Sequence, residues 1–319
     1  MEEKLLQLAE EITKGKRLSR RDDVEFFKTC DLKELQKGAD YIRNYFVGNK
    51  VDLCSIIAGK SGNCGENCKF CAQSAHNHTG CEVYELLDYE RIYKEAKKNE
   101  EAGVNRFAIV ISGHHPSEKD FESLVWMYKK MKEELKINLC ASLGFLTAEQ
   151  FQRLHEAGVK NYHNNIETSR SFFSKICTTH TFDEKVENIK RAKAVGLNVC
   201  SGGIIGLGET MDDRIEMAFD LFELGIGSIP INCLIPIPGT PLENNQRLTE
   251  EEIYRTVAIF RYINPEADIR LAAGRSLVRE NGKGLFEGGA SATITGDMLT
   301  TTGATIKSDK EMLLKINRL

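Results

Sequence analysis

From residue 51 onward the chain alternates between two hydrophobic rhythms. Short apolar runs at 51–57, 104–111, 137–142, 160–166, 197–203, 227–234, 267–273 and 291–295 read as buried strands. Between them, apolar residues recur every three or four positions, which predicts helices at 89–102, 117–135, 147–157, 182–195, 211–224 and 250–262, with a short one at 276–287. Several of these end in Ala102-Gly103, Ala157-Gly158 or Val195-Gly196, a step that suits a left-handed helix cap. Strands alternating with helices imply a parallel sheet. Eight such units predict an α/β fold, a (β/α)8 barrel of the TIM type. Ahead of it, Leu5, Leu6, Leu8, Ile12, Leu32, Leu35, Ala39, Ile42 and Phe46 recur at helical spacing. Residues 1–48 are therefore expected to form a helical cap at one end of the barrel, and residues 49–319 a single barrel domain. Core packing is expected for Tyr41 to Tyr45, with a partner interface as the alternative.

Composition narrows the function classes. A net charge of −4 and a pI near 6.1 make no electrostatic case for nucleic acid or an anionic membrane. No apolar run approaches the ~20 residues that span a bilayer. The start, Met1-Glu2-Glu3-Lys4, has neither the basic-then-apolar form of a signal peptide nor the Arg-rich form of a transit peptide, so a cytoplasmic protein is expected. In that compartment the ten cysteines point to metal or redox use, or to small apolar packing, rather than to disulfides.

The densest chemistry is Cys64-Gly65-Glu66-Asn67-Cys68-Lys69-Phe70-Cys71, directly after the first predicted strand and its glycine-bearing turn. Three thiolates can hold three irons of a cubane cluster and leave the fourth open. A structural zinc site closes with four ligands, and here only His76 or His78 could supply the fourth. A redox Cys68/Cys71 pair is the other alternative, and Cys64 argues against it. The three-cysteine spacing, with an aromatic residue before the last, resembles the radical S-adenosylmethionine (SAM) superfamily. That resemblance implies a 4Fe–4S cluster whose open iron chelates SAM and, once reduced, cleaves it to a 5′-deoxyadenosyl radical.

In a barrel of this kind the site forms at the C-terminal ends of the strands, and inward side chains of alternate strands meet in shared layers. Cys54, Cys140, Cys200 and Arg270 lie in predicted strands one, three, five and seven. Three thiols and a guanidinium can therefore converge inside the barrel; three scattered core cysteines are the alternative. A buried arginine needs a partner charge, which a second cluster would supply.

Several ordered motifs resemble the biotin synthase family. They are Asn165-Ile166-Glu167-Thr168, Thr178-Thr179-His180-Thr181, Asn198 to Glu209, Pro230-Ile231-Asn232, Gly239-Thr240-Pro241-Leu242 and Ile269-Arg270 to Arg275. The resemblance implies sulfur insertion into dethiobiotin, with the sulfur drawn from an auxiliary Fe–S cluster. Cys140, Cys200 and Arg270 match that cluster's usual ligands. The usual strand-two cysteine is Ala108 here, which cannot bind iron, and Cys54 on the neighbouring strand is the expected replacement. A four-iron cluster with an extra sulfide is favoured over a 2Fe–2S cluster with arginine as its fourth ligand. By the same resemblance Phe70, Asn165, Glu167, His180 and Gly203 meet SAM, while Lys60, Asn165, Asn232, Thr300 and Thr301 meet the substrate. A flavodoxin- or ferredoxin-type electron donor and a homodimer are also implied. The alternatives are a related radical SAM maturase, which would differ in its strand-interior cysteines, and a non-enzymatic Fe–S carrier, which would have no use for a ribose-binding Glu167.

Overall fold

Hydrogen bonding between parallel strands turns the alternation into a closed sheet. In the computed structural model, which describes residues 2–296 and 303–319, the strands are β1 (Asp52–Lys60), β2 (Arg106–Ile111), β3 (Asn138–Ser142), β4 (Asn161–His163), β5 (Asn198–Cys200), β6 (Gly203–Ile205), β7 (Ser228–Cys233), β8 (Asp268–Leu271) and β9 (Ala292–Ile294). Their order is β5-β4-β3-β2-β1-β9-β8-β7-β6, and β5 also pairs with β7, so the sheet closes. β5 and β6 together occupy the place of the fifth predicted strand, interrupted at Ser201-Gly202. The eight-unit parallel barrel expected from the alternation is the fold observed.

The interruption has a packing cause. A Cβ at Gly202 would stand 2.0 Å from the Pro230 carbonyl oxygen, and one at Gly203 would stand 2.3 Å from the Glu167 carbonyl oxygen. Only glycine lets three backbones approach this closely. The glycine pair thus serves strand-to-strand packing, and the chain continues directly into β6.

The helices on the outside are α3 (Tyr89–Glu101), α4 (Glu118–Glu134), α5 (Ala148–Glu156), α6 (Arg170–Ile176), α7 (Phe182–Ala194), α8 (Met211–Glu223), α9 (Glu250–Ile263), α10 (Lys283–Phe286) and α11 (Ile306–Lys315). α6 and α11 are additions to the sequence reading, and the short helix expected at 276–287 resolves into two 3-10 turns and α10. Thr147, Thr181, Thr210 and Thr249 open α5, α7, α8 and α9 with reciprocal capping boxes. Each satisfies amide groups that would otherwise be orphaned at the helix start. Gly103, Gly158 and Gly196 all take positive φ, as the helix-ending steps predicted. Among the described residues no helix is long and apolar enough to cross a membrane.

Residues before the barrel form α1 (Glu2–Thr13), a 3-10 turn and α2 (Leu32–Phe46). The expected cap lies along the outer flank. The Tyr262 hydroxyl of α9 donates to the Leu5 carbonyl, Arg255 donates to the carbonyls of Phe27 and Cys30, and Arg20 pairs with Asp220 and Glu223 of α8. Tyr41 and Tyr45 are 44% and 63% exposed, so the expected core packing does not occur: the apolar face of α2 that meets the protein is Leu35, Ala39 and Ile42.

Near the C-terminal end of α9, Arg261 is fully buried, and among the described residues no carboxylate lies within salt-bridge reach of it. Its guanidinium instead donates to the carbonyls of Gly289, Pro265 and Ala267 at 2.9, 2.9 and 2.6 Å, and to the Ser291 hydroxyl at 3.1 Å. These bonds tie the end of α9 to the segments that enter β8 and β9. A charged donor of this kind is worth ~1.5–3 kcal/mol per hydrogen bond, and its loss leaves buried acceptors unpaired. Arg261→Ala is therefore expected to destabilise the fold by ~3 kcal/mol or more. Denaturant unfolding of the cluster-free chain measures this, and an unchanged midpoint would refute the role.

Candidate functional site

Inward residues of the barrel enclose a cavity of about 300 Å³. Cys54, Cys140, Cys200 and Arg270 all line it, together with Phe70, Cys71, Asn165, Glu167 and Asn232. Strand register explains the meeting. Cys54 lies opposite Arg106, Ala108 opposite Cys140, Cys140 opposite Asn161, and Cys200 opposite both His163 and Ser228. The methyl group of Ala108 occupies the wall between Cys54 and Cys140, where a longer side chain would otherwise project.

The thiols are individually addressed. Asn161 donates to Cys140 Sγ at 3.4 Å, and Cys200 Sγ reaches the Ser228 hydroxyl at 3.5 Å. A hydrogen bond with Cys140, followed by the charge of Arg270, lowers the pKa of Cys54 despite its burial. The same hydrogen bond raises Cys140, and burial raises Cys200 against the pull of Arg270.

Below them lies a charged floor. Asp52 Oδ1 bridges Arg270 at 2.6 Å and Arg106 at 2.9 Å, and Arg106 reaches Asp268 at 3.4 Å. Arg270 also donates to the Ser228 hydroxyl at 3.3 Å and to the carbonyls of Thr293 and Asp52 at 3.2 and 3.3 Å. Burial opposes its charge, yet Cys54, Asp52 and Cys200 hold its pKa above the ordinary value. Four of its five N–H groups are therefore already committed to protein acceptors.

At the cavity mouth, the loop after β1 carries Cys64, Cys68 and Cys71. Backbone bonds fold it tightly: Cys64 N–H to the Gln73 carbonyl, Ala75 N–H to the Cys64 carbonyl, and Cys71 N–H to the Cys68 carbonyl. Asn77 donates to the carbonyls of Cys68 and Cys71. Burial lifts Cys71 to about 11. Cys68 Sγ lies 3.7 Å from Cys177 Sγ. That contact, aided by His180, holds Cys177 well below the usual thiol range and raises Cys68. The ring of His76 contacts the Gly65 carbonyl instead of completing a thiol set. The tight donor groupings found among the described residues are Cys68/Cys177/His180 and Glu66/His114/His180.

Glu167 sits between the two regions with φ of 70°, a conformation that costs a non-glycine residue energy and is held only by its surroundings. Its amide donates to the Gly202 carbonyl at 3.1 Å, and its carbonyl accepts from Ile204 N–H at 2.8 Å. Asn165 donates to its carboxylate at 3.3 Å, and Lys185 Nζ stands 3.8 Å away. Asn232 donates to the Gly203 carbonyl and accepts from Ala273 N–H, which leaves one N–H and one lone pair for a ligand. Phe70 packs toward Phe172, Ile176, Leu207 and Leu234, an apolar lid over the mouth.

Other sequence candidates fall elsewhere. Lys60 pairs with Glu85 and Asp120 at 2.8 and 3.0 Å, outside the cavity lining. His180 is buried behind the cysteine loop against Glu66. Gly203 meets the site through its carbonyl, which holds Asn232. Thr300 and Thr301 lie outside the described residues. Cys233 packs in the core with Arg214 and Glu209 as its charged neighbours and also lines the cavity beside Asn232. Sequence reasoning missed His163, which lines the cavity and whose pKa burial lowers. The same alternation through Asn161 and Asn165 would have found it. It also missed Asp52, whose signal was a lone acid at the head of an apolar run.

Comparisons with known proteins fit this geometry. Residues 60–221 match the family model of the Radical SAM superfamily, and residues 230–318 match that of the Biotin and Thiamin Synthesis associated domain. The chain is 57% identical over 307 residues to a biotin synthase from Clostridium beijerinckii, covering 96% of this chain and 97% of that one. It is 55% identical over 310 residues to a biotin synthase from Alkaliphilus metalliredigens, covering 97% and 98%. Among solved structures, a methylornithine synthase superposes with a TM-score of 0.85 at 21% identity, covering 98% of this chain and 96% of that one. An FeFe-hydrogenase maturase from Carboxydothermus hydrogenoformans gives 0.80 at 20%, covering 99% and 79%. At such identities the two structures share the fold alone. Sequence identity over nearly the whole chain goes further: the chain belongs to the biotin synthase family of radical SAM enzymes.

Proposed function

We propose that this chain inserts sulfur into dethiobiotin to give biotin, using SAM, a 4Fe–4S cluster at Cys64, Cys68 and Cys71, and an auxiliary cluster at Cys54, Cys140 and Cys200. The observation that carries the reading is a single cavity lined by Cys54, Cys140 and Cys200 inside the barrel and by Cys71 of the cysteine loop at its mouth. When bound, the groups supply a SAM-derived radical that abstracts hydrogen and a sulfide that closes the ring.

The protein's own part is position and exclusion. Glu167, steadied by Asn165 and Lys185, offers a carboxylate that can accept hydrogen bonds from both ribose hydroxyls of SAM. Asn232 offers its free N–H and lone pair to the ureido ring. Phe70 and its apolar neighbours keep water from the mouth, so that the radical meets only the substrate. Gly203 holds Asn232, and His180 holds the cysteine loop through Glu66; we assign both to support of the SAM site. Lys60, as it is paired here, is assigned to the loop between β1 and α4. Thr300 and Thr301 are assigned to the substrate carboxylate by resemblance alone.

Arg270 is assigned the role of fixed counter-charge to the auxiliary cluster. Its pKa is raised and most of its N–H groups already bond to protein, whereas ligation to iron would require loss of a proton. Three thiolates with no fourth protein ligand suit a four-iron cluster with one open iron, which could carry an extra sulfide. We extend the proposal to residues 49–319 as one domain, because strands from both matched stretches hydrogen-bond into one closed sheet. A flavodoxin- or ferredoxin-type donor, a homodimer and a cytoplasmic location complete it.

Anaerobic reconstitution followed by single-turnover assay with dethiobiotin and SAM tests the activity, with biotin measured by mass spectrometry. Biotin formation is expected, and SAM cleavage without biotin would refute the substrate. In a variant lacking Cys64, Cys68 and Cys71, Mössbauer spectra are expected to retain a four-iron signal with sulfide in excess of iron; a 2Fe–2S signal would overturn the favoured cluster type. Cys54→Ser on that background is expected to lose most of the remaining iron, and full retention would sink the relocated ligand. Glu167→Gln should weaken SAM binding by about tenfold or more, since hydrogen bonds to a charged group contribute ~1.5–3 kcal/mol. Equilibrium dialysis with SAM measures this, and unchanged affinity would remove Glu167 from the site.

A further inference from the structure

Cys177 has no part in the proposed chemistry, yet it is the thiol nearest to the cysteine loop. It closes α6, is 3% exposed, and faces Cys68 Sγ at 3.7 Å from a segment 109 residues away in sequence. The two segments are held together without help from the sulfurs. Lys69 N–H donates to the Ile176 carbonyl at 2.9 Å, Thr178 N–H donates to the Asn67 side chain at 2.9 Å, and Asn67 donates to the Thr178 hydroxyl at 2.6 Å. His180 and Thr179, at 3.4 and 3.5 Å, orient Cys177 Sγ. A disulfide has an S–S length of about 2.05 Å, so the sulfurs need approach by only about 1.7 Å, within reach of side-chain rotation.

We propose that Cys68 and Cys177 form a reversible disulfide whenever Cys68 is not bound to iron, and that Cys177 thereby protects the loop from irreversible oxidation. The pairing itself rests on the geometry above; the protective role rests on Cys68 being an iron ligand. The oxidant is a hydroperoxide, which an open iron exposed to oxygen can generate. The Cys68 sulfur, the less buried of the two, passes its proton to the adjacent Cys177 sulfur and attacks the peroxide as a thiolate: an S–O bond forms, the O–O bond breaks, and one water leaves. The buried Cys177 sulfur then attacks the sulfenic sulfur: the S–S bond forms, the S–O bond breaks, and a second water leaves. Two thiols thus give two electrons to reduce one peroxide to two waters. A dithiol reductant returns two electrons and two protons and frees Cys68. Without Cys177, a second peroxide oxidises the sulfenic acid at Cys68 to sulfinic acid and leaves as water, a product that ordinary thiols do not reverse.

The test starts from the full-length, cluster-loaded chain. Part is stripped of iron by an anaerobic chelator; both parts are treated with a several-fold excess of hydrogen peroxide, alkylated and mapped by mass spectrometry. In the stripped wild type a Cys68–Cys177 crosslink is expected to dominate, and a dithiol should restore the capacity to rebuild the cluster. Cys177→Ala should instead accumulate sulfinic acid at Cys68 and recover several-fold less rebuilt cluster. Bridges within the cysteine loop, or equal sulfinic acid in wild type and variant, would overturn the proposal. Wild-type mapping decides the first point even if the variant folds poorly. In the loaded part, the crosslink should appear only as iron is lost. A crosslink formed with the loop's iron retained would leave the disulfide standing but remove Cys68 from the ligand set.

Discussion

One carboxylate, Asp52, holds two guanidiniums inside a closed barrel, and the site above it depends on that arrangement. A charge in so dry a place is tolerated only when it is paired and hydrogen-bonded. Asp52 satisfies Arg270 and Arg106 together, with Asp268 as the second acid. The result is a charge-balanced floor whose guanidiniums still act on the thiols above it. Cys54, Cys140 and Cys200 then sit beside fixed cations rather than in plain hydrocarbon, which favours their charged forms against the cost of burial.

The same closure explains why the cysteine loop, through Cys71, shares a cavity with the inner thiols. Parallel strands present their C-terminal ends on one rim, so a loop after β1 and inward residues of β3 and β5 face one another across the interior. Backbone approach at Gly202 and Gly203 brings β4 and β7 close enough to place Glu167 and Asn232 over that interior. Glu167 keeps an uncommon backbone conformation because bonds to Gly202 and Ile204 leave it no other. Strain at this position is the consequence of fitting a carboxylate between two closely packed strands.

Two thiol environments with different chemistry result. Inside the barrel Cys54 and Cys140 are buried beside fixed cations, and Cys200 is partly open to the cavity. At the mouth, Cys68 is half open and meets a thiol from another loop. Where oxidation can reach, a resolving partner is close; where it cannot, the neighbouring residues serve charge and position.

The sequence by itself determined the periodicity of the barrel, the three-cysteine loop after the first strand, and the odd-strand positions of Cys54, Cys140, Cys200 and Arg270. These are legible because strand alternation and loop spacing are local properties of the chain. α6 and α11 escaped because they are short and their apolar faces are set by what they pack against. Only the tertiary structure decided that Arg106 and Arg270 share Asp52, that Lys60 turns to Glu85 and Asp120, that His163 enters the cavity, and that Cys177 meets Cys68. Each of those is a contact between residues distant along the chain. Their distance in space is fixed by closure of the sheet and by the seating of loops on its rim, and neither is written in any local pattern.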